Sequence, residues 1–194
     1  MIKIRKIEAK TKDRLLFRGE NLEFNDGYKY ILTGKNGSGK TTFLNSLINE
    51  SKLVDIDFTN SSDTIYQIQN SYFFKNIPKD NFKILSIDIK NVEDDMKTLG
   101  IDNLIERNIE SLSGGERQKF IFLRSLYRAK ETLILDEPFS QMDLKSKQKA
   151  NNILDNWLKK SSKRMIIMVT HDDISLNTYD YHYKIEDKLI KEVL

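Results

Sequence analysis

No cysteine occurs among the 194 residues, which excludes disulfides and thiolate metal sites. Histidine is nearly as scarce, and His171 and His182 stand too far apart in the chain to suggest a ligand cluster. Proline occurs only twice, and there is no flexible linker, low-complexity run or internal repeat. Long hydrophobic runs are missing too: stretches such as MIIMV at 165–169 fall far short of the roughly 20 residues that span a bilayer. The opening MIKIRKIEAK lacks the apolar core of a secretory signal. These absences predict a cytoplasmic protein that reaches a membrane only through a partner. An excess of one charge is also lacking, because 32 basic and 29 acidic side chains leave a net charge of +3. That balance gives no electrostatic footprint for a nucleic-acid coat. The basic runs Lys145–Lys149 and Lys159–Arg164 read as solvated helix faces, so no direct nucleic-acid partner is expected.

What is present fits one soluble α/β unit. Hydrophobic residues at 39% and charged residues at 31% are ordinary for a globular chain. Alternation and β-rich runs predict strands near 2–8, 14–18 and 21–25, and a buried strand at 28–33. A helix is expected over 41–50, a strand over 63–68, and a polar, loosely helical stretch from about 78 to 112. Helices follow at 114–130 and 143–160, with fully apolar strands at 132–138 and 164–171 and a C-terminal hairpin turning near 186–188. Apolar strands alternating with helices imply a mainly parallel sheet.

Residues 34–41, Gly-Lys-Asn-Gly-Ser-Gly-Lys-Thr, fit the phosphate-loop pattern G-x-x-x-x-G-K-[ST] between a strand and a helix. Gly34, Gly37 and Gly39 let successive N–H groups turn inward around a phosphate, with Lys35, Asn36, Ser38 and Thr42 completing the cradle. Lys40 supplies a point charge to the β- and γ-phosphates, and the Thr41 hydroxyl is a ligand for Mg²⁺. A pair of acids, Asp136 and Glu137, stands at the carboxyl end of the apolar strand TLILD, where ligands sit in parallel sheets. Asp136 is placed to hold Mg²⁺ and Glu137 to act as general base on the attacking water. A further glycine pair, in Leu112-Ser113-Gly114-Gly115-Glu116, opens a helix and offers another anion site.

Phosphate loop, LSGGE and LILDEP in this order and spacing resemble the ATP-binding cassette (ABC) ATPases, over nearly the whole chain. The resemblance implies a P-loop NTPase core with an N-terminal antiparallel β-subdomain and an inserted small α-helical subdomain. Residues 1–194 would be one domain, with the core at 1–74 and 131–194 and the helical part at about 75–130. By the same resemblance Gln69 is the glutamine that contacts Mg²⁺ and the attacking water, with Gln67 as the alternative. Phe74, Ile77 and Asn81 follow as in exporter-type cassettes. Ser140-Gln141-Met142-Asp143 resembles the D-loop, although the family more often has small or aliphatic residues where Gln141 and Met142 stand. His171 resembles the switch histidine at the γ-phosphate, and Ser113, Gly114, Gly115 and Glu116 would face the ATP of a second, identical or related subunit. The aromatic residue that usually stacks on adenine is not found in Ala9–Arg14; Arg14 or a lysine stem would take its place. Expected are ATP with modest discrimination against GTP, Mg²⁺, and separate transmembrane permease subunits that receive the ATPase, with export as the direction. A soluble cassette acting in protein or cofactor assembly, or on nucleic acid, is the alternative.

Overall fold

The computed structural model describes residues 1–12, 14–48, 54–60, 64–67, 71–170 and 178–193, with the backbone alone at 54–60 and 66. The strands are β1 (Ile2–Lys10), β2 (Leu15–Phe24), β3 (Lys29–Gly34), β4 (Val54–Asn60), β5 (Thr64–Gln67), β6 (Thr132–Asp136), β7 (Met165–Val169), β8 (Tyr181–Glu186) and β9 (Leu189–Glu192). The helices are α1 (Lys40–Ser46), α2 (Pro78–Ile84), α3 (Ile89–Leu99), α4 (Gly114–Arg128) and α5 (Leu144–Lys159). All nine described strands form one sheet in the order β4-β1-β2-β9-β8-β3-β7-β6-β5.

Half of this sheet is parallel. β3 lies between β8 and β7, and β6 pairs with β7 and β5, every pair parallel. The other half is antiparallel, with β1 between β2 and β4 and with β8 turning back into β9. A single parallel register, Arg18↔Leu189, joins β2 to β9 and makes the halves continuous.

The period-two geometry of strands sorts the side chains onto two cores. Ile31, Leu133, Leu135, Ile166 and Met168 face a cluster built with Phe82, Val92, Phe120, Leu123, Leu154 and Trp157 of the helices. Their neighbours Tyr30, Leu32, Ile134, Met165, Ile167 and Val169 face the opposite cluster with Phe43, Leu44 and the inner side chains of β1 and β2. Both faces of the parallel strands are thus covered, which is why they read as unbroken apolar runs.

One expectation needs correction, and one strand is additional. The separate strands foreseen at 14–18 and 21–25 are one strand, β2. Its ladder with β1 runs from Lys10↔Leu15, across a register shift at Ala9, to Ile2↔Phe24 and carries the chain through Asn21, which takes φ 53° without ending the pairing. The segment 54–60 is also a strand, β4, paired with the outer edge of β1.

Candidate nucleotide site

The loop from β3 to α1 turns back on itself through Gly39, which sits at φ 100° as the residue before the helix. A side chain there would be doubly excluded, because its Cβ would stand 2.7 Å from the Phe17 ring in a conformation that L-residues avoid. Lys40 is only 6% exposed. Its ammonium donates to the carbonyls of Gly34 (2.9 Å) and Lys35 (3.2 Å) and so holds the loop closed. Burial lowers the Lys40 pKa, while the carboxylates of Glu137 and Asp136 push it back up. The Ser38 hydroxyl is buried in the loop with no hydrogen-bond partner among the described residues. Such an orphan inside a polar cradle fits a ligand that brings acceptor oxygens, as a phosphate does.

The carboxyl end of the sheet places the acids beside this loop. Asp136 is 1% exposed at the tip of β6, and its Oδ2 accepts from the Thr41 hydroxyl at 2.7 Å. A hydroxyl and a carboxylate oxygen at the mouth of a phosphate loop form the hard donor set that suits Mg²⁺. Glu137, the next residue, has φ 49°, and its N–H donates to Val169 O of β7 at 2.9 Å. A left-handed glutamate costs about 1–2 kcal/mol and so marks a place where the fold imposes the direction of a side chain. Lys40, Thr41, Thr42 and Glu137 line one cavity of about 570 Å³, together with Asn36, Gly37 and Gly39.

The second glycine pair starts α4. The Ser113 Oγ accepts from the Glu116 N–H, while the Glu116 carboxylate accepts from the Ser113 N–H (2.7 Å) and hydroxyl (2.8 Å). This reciprocal capping box satisfies the first turn and holds the Glu116 pKa below its ordinary value. Glu116 therefore acts on its own helix. None of Ser113–Glu116 borders the cavity at the phosphate loop; Gly114 lines a separate cavity of about 470 Å³ with Tyr72, Phe73 and Arg117. Asp143 likewise caps a helix: its carboxylate accepts from the Ser146 N–H (2.8 Å) and hydroxyl (2.9 Å), which lowers its pKa. Gln69 and His171 lie outside the described residues. Gln67 ends β5 buried, and its Oε1 has no partner among the described residues.

A family model described as ABC transporter matches residues 17–140, from β2 through the acids at the end of β6. The chain belongs to the ABC transporter ATPase family. Among curated relatives it is 29% identical over 183 residues to a thiamine import ATP-binding protein of Aliivibrio fischeri, covering 84% of this chain and 78% of that protein. It is 28% identical over 180 residues to an energy-coupling factor transporter ATP-binding protein of Thermotoga maritima, covering 83% and 69%. It is also 30% identical over 177 residues to elongation factor 3 of Pneumocystis carinii, where the match takes in 82% of this chain but 15% of that protein.

For an ABC ATPase, the surroundings of Arg14 stand out. Its guanidinium reaches the Gly37 carbonyl at 3.4 Å, and it lines a cavity of about 640 Å³ between the phosphate loop and the β8–β9 turn. Leu15, Leu16 and Ile185 give that cavity an apolar wall, and no aromatic ring of the described residues borders it. No helix among the described residues is long and apolar enough to cross a membrane.

Proposed function

We propose that two copies of this ATPase, or one copy and a related subunit, sandwich two ATP molecules and so power a membrane transporter through separate permease subunits. The observation that carries the reading is the division of the parts. Lys40, Thr41 and Glu137 line one cavity, with Asp136 bonded to Thr41 beside it, while the anion-type helix start opens on another through Gly114. A chain built this way offers its second site to a neighbour's nucleotide.

The roles follow from the geometry. Lys40 leaves the Gly34 and Lys35 carbonyls to pair with the β- and γ-phosphates, and the phosphate-loop N–H groups hold the remaining oxygens. Thr41 and Asp136 would hold Mg²⁺, which would supply charge neutralisation to the phosphates. Glu137, aimed by its imposed backbone, accepts the proton of the attacking water. Gln69 and His171 complete the contacts to that water and to the γ-phosphate. Across the interface, Ser113, Gly114 and Gly115 donate to the partner's γ-phosphate. Hydrolysis adds charge repulsion and opens the pair. Base recognition falls to Arg14, with ATP preferred modestly over GTP.

The transporter part rests on the segment after Gln69. Tyr72 is 67% and Phe74 47% exposed, and the two rings pack edge to face. Beneath them, Asn81 binds the backbone at Phe74, Lys75 and Ile77, and the Arg124 guanidinium lies over the Phe73 and Phe74 rings. A rigidly backed, exposed aromatic pair suits a permease's cytoplasmic helix. With Phe74, Ile77 and Asn81 spaced as in exporter-type cassettes, outward transport is the direction we favour. The likeness to elongation factor 3 supports the alternative of a soluble cassette.

Steady-state hydrolysis with Glu137→Gln tests the chemistry. Activity should fall on the order of 10²-fold or more, and the ATP-loaded variant should elute as a dimer. Near-normal activity would remove Glu137 from its role. Ser113→Arg should stop turnover yet leave ATP binding by the monomer intact. Capture from detergent-solubilised membranes then separates the partners: a polytopic protein supports transport, and soluble partners alone overturn it.

A further inference from the structure

Gln118 sits one turn inside α4, 7% exposed, and is not named by the phosphate loop, the acids or the glycine pair. Its amide is fully engaged with the loop that follows β6. Nε2 donates to the Glu137 carbonyl at 3.2 Å and to the Ser140 hydroxyl at 3.1 Å. Oε1 accepts from the Gln141 N–H at 2.6 Å. A main-chain carbonyl and a main-chain N–H have fixed roles, so the amide can stand only one way round.

The loop answers from its own side. A Cβ on Gly114 would collide with the Gln141 side-chain oxygen, and one on Gly115 would stand 2.8 Å from the Gln141 carbonyl. Gln141 therefore packs directly on the helix start, and the glycine pair is bare partly to admit it. Helix and loop are clasped at two points: Gln118 holds the loop by three hydrogen bonds, and Gln141 fills the surface of the glycines.

We propose that Gln118 and Gln141 are positioning residues that make the start of α4 and the Glu137 loop move as one body. The proposal rests on the ATPase reading above. Glu137 lies at φ 49°, a conformation that persists only where surrounding contacts over-determine it. Its N–H is tied to β7 and its carbonyl to Gln118, so these two bonds fix the peptide planes on either side of the carboxylate. A phosphate docking at Ser113 and Gly114 pushes on Gln141, and through Gln118 it reaches the residue that activates water in the same chain's own site. One site thereby senses whether the other is filled. Neither residue touches nucleotide.

Gln118→Met removes all three bonds at nearly constant volume, and Ser140→Ala removes one at an exposed position. The measurement is Mg-ATP hydrolysis per bound nucleotide, with KM and the Hill coefficient. Gln118→Met should lower kcat about tenfold or more, leave the KM for ATP within about twofold, and abolish any cooperativity between sites. Ser140→Ala should show the same pattern in milder form. Normalising to bound nucleotide removes simple misfolding from the comparison. If Gln118→Met does not fold, Ser140→Ala and Gln141→Ala decide: a lowered kcat at unchanged KM supports the clasp. Wild-type kcat in every soluble variant of a hydrolysing protein would overturn it. Absence of hydrolysis in the wild-type chain would overturn the ATPase reading itself, and this proposal with it.

Discussion

Gly115→Ala is a discriminating test of how α4 meets the loop after β6, because ordinary propensity predicts the opposite sign. Alanine is a better helix former than glycine by up to about 1 kcal/mol, and Gly115 has no left-handed backbone to protect. An isolated helix would gain. Here the new methyl would lie 2.8 Å from the Gln141 carbonyl oxygen, so the backbone of the loop must give way. Forcing atoms into a packed contact costs about 1–3 kcal/mol, which outweighs the propensity gain and leaves a net loss of about 1–2 kcal/mol. For a chain of this size that corresponds to a melting temperature lower by about 2–8 °C. Gly114→Ala is the internal control. Its methyl meets the far end of the Gln141 side chain, which can swing toward solvent, so stability should stay within about 0.5 kcal/mol. Thermal unfolding of both variants followed by circular dichroism makes the comparison. A Gly115→Ala protein as stable as the wild type, or more so, would refute the close approach of helix and loop.

Further outcomes follow from the site. Lys40→Ala should lose nucleotide binding, seen by fluorescence titration, because the loop loses both its phosphate charge and its tie to the Gly34 and Lys35 carbonyls. Arg14→Ala should weaken ATP and GTP binding together; an unchanged affinity for both would remove Arg14 from base recognition. Acid should destabilise the fold through its helix caps. The Glu116 and Asp143 carboxylates are held below their ordinary values by donors at Ser113 and Ser146. Their stabilisation is therefore present above about pH 4, the ordinary carboxylate range, and is lost as pH falls through the lower native values. A Ser113→Ala, Ser146→Ala double variant should melt lower at neutral pH but show a shallower decline on acidification.

Much of this site was legible in the chain because its key residues are consecutive. Lys40 and Thr41 follow a glycine loop, and Asp136 and Glu137 end an apolar strand, so spacing alone locates them. β4 is equally readable in principle: Val54, Ile56 and Phe58 alternate with polar residues, the pattern of a half-buried strand. β2 misled for the opposite reason, since glycine and asparagine at 19–21 imitate a turn that the β1 ladder overrides. Asp143 shows how one residue type serves two readings. Resemblance places it in the D-loop, while its spacing to Ser146 is that of a helix cap. Gln118 could not be found from sequence, because its three partners lie 19 to 23 residues away and only the folded turn of the chain brings them to it.

The placement of β3 between β7 and β8 has a consequence for synthesis. The strand that delivers the phosphate loop emerges early, but both neighbours that hold it straight are translated more than a hundred residues later. Closing so long a loop is slow and entropically costly. A nascent chain therefore carries its nucleotide-binding motif in an unformed state until the C-terminal hairpin leaves the ribosome. The capacity to bind ATP then arrives at once, at the moment the sheet is completed.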